Sequence, residues 1–165
     1  MSNQVYSNFE TRKLYRSSES LDCQTMGPNQ IVPDSLAVQN VGPFLLLPVN
    51  ANYTYETSTK RLTFKNDGVY SLLLQTSWTL TAAGGRCTHY MLLNGLTQPK
   101  FGATSSAGYV TSTDDEALIL SSNVLLKVKI GDQISFFVSG NNGGIQTLRD
   151  DSSTYRTEFF VSKLS

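Results

Sequence analysis

Between Val69 and Leu80 the sequence alternates. Tyr70, Leu72, Leu74, Thr76, Trp78 and Leu80 fall on one face of an extended chain, and Val69, Ser71, Leu73, Gln75, Ser77 and Thr79 on the other. Apolar residues recur at every second position rather than at three and four, so the period is that of a strand and not of a helix. Asn66-Asp67-Gly68, just ahead, is turn chemistry. The pattern predicts one long strand with a buried face and a mixed face.

The same rhythm continues in both directions. Short apolar runs at 44–50, 52–57, 61–64, 86–95, 108–113, 133–140 and 154–164 read as strands, and 116–132 as one strand or two. Asn94-Gly95, Gly131-Asp132 and the Asn-Asn-Gly-Gly run at 141–144 supply turns. Turn signals come roughly every 8–15 residues, the spacing of an antiparallel sandwich or barrel. No helical period and no internal repeat is present, so the fold class is all-β. Residues 1–30 are rich in Ser, Asn, Gln, Thr and Glu, and Pro28, Pro33 and Gly27 mark a boundary. We expect a flexible polar arm over 1–35 and one domain over 36–165.

Tyr70, Leu72, Leu74, Trp78, Ile134, Phe136 and Phe159 are the expected core. Several strands, however, are apolar on both faces. Phe137 protrudes from the polar side of its strand, Phe160 and Leu164 lie opposite Phe159 and Val161, and Leu118 to Leu126 leave no wholly polar side. Large apolar patches are unusual on a lone soluble chain. Phe137, Phe160, Leu164, Leu125 and Leu73 are therefore candidates for a subunit interface, the alternative being cover from loops or from the first 30 residues.

Charge and chemistry narrow the function. Thirteen basic and thirteen acidic residues give no net charge, which argues against a nucleic-acid footprint. No run approaches the roughly 18 apolar residues of a membrane span, and the N-terminus carries no apolar signal-peptide core. Cys23 and Cys87 fit no metal or redox spacing, and two free thiols are expected. Cys87, His89 and Met91 share a strand face, but His89 is the only histidine, so packed strand residues fit better than a closed metal site. Asp114, Asp115 and Glu116 form an acidic loop that offers oxygen ligands for calcium, without the spacing of a known calcium loop. Asp132 is expected to cap its own turn. No serine elbow, phosphate loop or carboxylate in an apolar stretch is found, so no catalysis and no cofactor are expected beyond that calcium candidate.

The stretch LTFKNDGVYSLLLQ (62–75) resembles the signature of the complement C1q and tumour necrosis factor superfamily, in which an aromatic precedes a turn and Gly-x-Tyr opens a strand. NYTYETSTKRLTF (52–64), HYMLLNG (89–95), NVLLKVKIGDQISFFV (123–138) and TEFFVSKL (157–164) are similar to its other elements in order and spacing. The resemblance spans roughly residues 40–164. It departs in Glu158, where the family commonly carries glycine, and in having no Gly-X-Y repeat ahead of the domain. It implies a ten-stranded antiparallel jelly-roll sandwich that assembles as a homotrimer.

The function expected from these readings is a non-enzymatic trimeric head domain. It would sit on a larger particle such as a virion, capsid vertex or spore surface and bind a protein or glycan receptor, with the arm as tether. A secreted signalling or pattern-recognition ligand of the same superfamily is the alternative. A cupin-like metal enzyme is disfavoured by the single histidine.

Overall fold

The computed structural model describes residues 21–25, 30–32, 35–44, 51–80, 86–95, 100–101, 104–106, 118–141, 146–149 and 156–165. These contain strands and no helix. In chain order the strands are β1 (Leu21–Thr25), β2 (Gln30–Val32), β3 (Ser35–Asn40), β4 (Tyr53–Glu56), β5 (Arg61–Phe64), β6 (Gly68–Leu80), β7 (Arg86–Leu93), β8 (Lys100–Phe101), β9 (Thr104–Ser106), β10 (Leu118–Val128), β11 (Gln133–Asn141), β12 (Gln146–Leu148) and β13 (Glu158–Lys163). All pairings are antiparallel, and they make a six-stranded sheet around β6 and a seven-stranded sheet around β11 and β7. The fold is an all-β antiparallel sandwich, as the strand rhythm predicts, with the jelly-roll character that the resemblance implies.

The strand 69–80 read from the sequence is the rib of the first sheet. It pairs along 11 residues with β10 on one side, and on the other with β13 and then β12. Segment 116–132 thus holds one strand, not two. Short strands share a track beside long ones: β12 and β13 along β6, β3 and β5 along β11, β8 and β9 along β7. That sharing is why the strand count exceeds ten. At the seam along β6, the Ser77 carbonyl accepts Arg149 N–H (2.8 Å) and Ser77 N–H donates to Thr157 Oγ1 (3.2 Å), so the ladder stays satisfied where one partner hands over to the next.

Gly68 begins β6 for a steric reason. A Cβ there would collide with the carbonyl oxygen of Ser165, and that same carbonyl accepts Val69 N–H (3.0 Å) while Leu164 N–H donates to Val69 O (2.8 Å). The end of the described chain therefore closes onto the start of β6, which a side chain at 68 forbids. Two residues on, Tyr70 packs its ring against Phe64 (4.6 Å) and donates its hydroxyl to the Asn66 carbonyl (3.2 Å). The Gly-Val-Tyr step thus fastens the β5–β6 turn to the core.

All seven residues expected in the core are buried. Phe44 sits at its centre, with its ring edge-on to Tyr55 (5.8 Å), Phe136 (5.4 Å) and Phe159 (4.7 Å). Tyr55 also receives the Phe44 N–H on its hydroxyl (3.3 Å), and burial pushes that phenol up to about 12.

Three expectations need amendment or fall outside the described residues. Residues 21–25 and 30–32, read as part of a flexible arm, are paired strands that extend the first sheet beside β13 and β12. At five and three residues they are too short to show an alternation against the polar residues around them. Phe137 and Phe160, read as interface residues, are only 9% and 5% exposed within the single chain. Both lie mid-sheet between two paired neighbours, Phe137 between Asn40 and Tyr90 and Phe160 between Leu73 and Cys23, so flanking strands already take up their surface. The runs at 45–50 and 108–113 and the acidic loop with Asp114, Asp115 and Glu116 lie outside the described residues.

Candidate functional site

Antiparallel partners point to the same side of a sheet, so register assigns the faces. Inward from the first sheet come Tyr70, Leu72, Leu74, Thr76 and Trp78 of β6, with Leu120, Ser122, Val124 and Leu126 of β10 opposite. Inward from the second come Cys87, His89 and Met91 of β7 and Ile134, Phe136 and Val138 of β11. Four polar side chains in this apolar space find one another. Trp78 Nε1–H donates to Thr76 Oγ1 (2.9 Å), Thr76 Oγ1 lies 2.8 Å from His89 Nδ1, and His89 Nε2 lies 2.6 Å from Ser122 Oγ. One proton arrangement serves every member: the Thr76 hydroxyl donates to Nδ1, and Nε2–H donates to Ser122. The chain crosses from sheet to sheet and satisfies polar groups whose isolated burial costs about 1–3 kcal/mol each.

This is not hydrolytic machinery. His89 touches a serine and a threonine, and among the described residues no carboxylate orients it. Ser122 sits in the middle of a regular strand, without an elbow that presents a nucleophile. Burial pushes the imidazole down to about 4, and the Cys87 thiol next to it on the same face up to about 12, far from a reactive thiolate. Cys87 and His89 are thus packed strand residues, as the shortage of other histidines suggested. Among the described residues no group of three or more His, Cys, Asp or Glu is placed to hold a metal.

One end of the sandwich carries a rigid turn cluster. Asp132 caps its own turn, with Oδ2 accepting Lys129 N–H (2.8 Å), and its Oδ1 accepts from Asn94 Nδ2 (2.8 Å). Asn94 Oδ1 accepts Gln133 N–H (2.8 Å), and Asp67 Oδ1 accepts Ile130 N–H (2.6 Å). Asn94 and Gly95 both have positive φ, 55° and 97°, the left-handed backbone that Asn and Gly tolerate best. Three loops are locked to one another, with Ile130 standing exposed at the tip.

The outer faces hold the remaining candidates. On the first sheet the rows across β10, β6 and β13 read Leu125–Ser71–Ser162, Asn123–Leu73–Phe160 and Ser121–Gln75–Glu158. Leu125 is 65% exposed, Ile119 on the same face 44%, and Leu164 beyond β13 is 55% exposed; Leu73 is half-buried. On the second sheet Phe137 stacks on Tyr90 (5.7 Å, 18°) and Leu92 is buried. Of the five interface candidates, Leu125, Leu164 and Leu73 offer surface and the two phenylalanines offer little. Ile119 was not singled out, because in the sequence it sits inside a continuous apolar run with no alternation to mark a face.

No family model and no curated protein matches the sequence. Solved structures do match. Eiger TNF from S. frugiperda is 15% identical, with 89% of this chain and 94% of that one covered at a TM-score of 0.57. Murine APRIL at pH 5.0 is 15% identical, with 88% and 98% covered at 0.59, and at pH 8.0 it is 12% identical, with 87% and 98% covered at 0.57. At such identities the likeness speaks to architecture, and it extends over nearly the whole of each chain. The Gly-Val-Tyr rib, the two sheets and these matches together give this chain a TNF-like jelly-roll fold.

Proposed function

We propose that this chain is a non-enzymatic head domain that assembles as a homotrimer through the outer face of the β6 sheet and binds a protein or glycan receptor through its loops. The observation that carries the reading is the pairing of that face's exposed leucine and isoleucine, Leu125 and Ile119, with half-buried Leu73 on an otherwise well-packed sandwich. Burying a leucine fully contributes roughly 1.5–3 kcal/mol, and a closed ring repeats the contact in every subunit. The core polar chain has the bonding of a packing element, which supports a binding role over catalysis. The locked turns of Asn94, Ile130 and Asp132 form a rigid tip suited to contact without an ordering cost.

Within this reading, the polar segment ahead of β1 is the tether, and the domain is displayed at the surface of a virion or comparable particle. Cys87 is buried and forms no disulfide among the described residues, which is compatible with assembly inside a cell. A secreted signalling ligand is the second reading. It is favoured by the likeness to Eiger TNF and murine APRIL. Native mass measured at micromolar concentration tests the shared part of both readings: three chains are expected, and a monodisperse monomer contradicts it. Removing residues 1–20 separates the two. On the particle reading the trimer survives and attachment is lost; on the ligand reading receptor binding is unaffected.

A further inference from the structure

We propose that the Trp78–Thr76–His89–Ser122 chain is an acid-sensitive latch: it holds the two sheets together along the β7 and β10 side while His89 is neutral, and protonation of the imidazole opens the sandwich there. The chain ties the two sheets across the core, with His89 of one sheet bonded between Thr76 and Ser122 of the other. Thr76 and Ser122 lie on β6 and β10 of one sheet and His89 on β7 of the other.

The latch depends on proton count. With His89 neutral, Nδ1 accepts from the Thr76 hydroxyl while that oxygen accepts from Trp78. A second ring proton turns Nδ1 into a donor. The Thr76 hydroxyl must then turn away, and its oxygen must accept from both Trp78 and His89. The new charge has nothing to face. The inward residues of β6 are Tyr70, Leu72, Leu74, Thr76 and Trp78; of β10, Leu120, Ser122, Val124 and Leu126; of β11, Ile134, Phe136 and Val138. Among the described residues of all these elements and of β7, the titratable groups facing inward are Cys87 and Tyr70, both held neutral by burial, and no carboxylate is present. An imidazolium there is uncompensated unless water enters. Ser122 is only partly buried, which places the entry route on the β10 side.

The sign is fixed. Burial holds the native ring at about 4, below the ordinary value of 6.5. As pH falls the unfolded or opened state therefore takes the proton first, and stability is lost between about 6.5 and about 4. Over pH 7 to 4 this raises the opening equilibrium roughly a hundredfold. An acidified compartment would thus loosen the domain at one chosen side.

His89 is the sole histidine, so its ring gives one assignable set of NMR signals in the intact protein. The expected result is a neutral Nε2–H tautomer at pH 7 that stays neutral through pH 5. Hydrogen-exchange protection at β7 and β10, corrected for intrinsic rates, should then fall more than at β5 and β13. His89→Gln keeps an acceptor and a donor without a titrating group, and should remove most of this pH dependence. A ring that titrates near 6.5 with protection unchanged overturns the proposal, as does a His89→Gln protein that loses β7 and β10 protection as steeply as wild type. If that variant does not fold, the wild-type titration decides alone.

Discussion

The two outer faces of this sandwich start from similar sequence and end differently. Both sheets put apolar side chains on their solvent side: Phe137, Tyr90 and Leu92 on one, Leu73, Phe160, Ile119 and Leu125 on the other. On the β7–β11 face the chain covers its own apolar groups, with Phe137 flat on Tyr90 and Leu92 buried. On the β6 face Phe160 is enclosed, but Leu125 and Ile119 on β10 stay open. Two-sided apolarity is therefore not by itself a sign of a partner. A spare aromatic in mid-sheet is absorbed by its neighbours, whereas a leucine on a strand flanked on one side only among the described residues is not.

Substitutions along β11 and β10 sharpen that contrast. Phe136→Ala removes a ring from the aromatic centre and should cost about 3–5 kcal/mol in denaturant unfolding. Its neighbour Phe137→Ala should cost about 2 kcal/mol and leave the native mass unchanged, because the ring serves the chain it belongs to. Equal losses at 136 and 137, or a change of mass at 137, would blur the distinction between inner and outer positions. Asp132→Ala removes two short hydrogen bonds at the turn and should cost about 1 kcal/mol, read as a lowered Tm. Leu125→Glu should change the stability of the isolated fold by no more than about 0.5 kcal/mol, since the side chain is largely in water there. Its effect should fall on association instead.

What could be read beforehand follows from what each feature is made of. The long rib, its turn and the core positions Tyr70, Leu72, Leu74 and Trp78 were legible because alternation writes burial directly into sequence. The turn cap by Asp132 was legible because its bond to Lys129 is local. β1 and β2 were not, because runs of five and three residues are too short to show a period. Nor were the partners of His89: Thr76 and Ser122 lie 13 and 33 positions away and meet it only when the sheets stack. The low exposure of Phe137 and Phe160 was hidden for the same reason, since face assignment says which way a ring points and not what flanks it. Three alternating polar residues among leucines, Thr76, Ser122 and His89, were the available hint, being polar at positions whose neighbours two away are core.

The central claim is that copies meet through the β6 sheet and not through the β7–β11 sheet. Sedimentation of wild type, Leu125→Glu and Tyr90→Glu, side by side at one concentration, tests it most directly. Three chains are expected for wild type and for Tyr90→Glu, and single chains for Leu125→Glu. Dissociation by the Tyr90 change with the Leu125 variant still trimeric, or a wild type that is monomeric throughout, would contradict it.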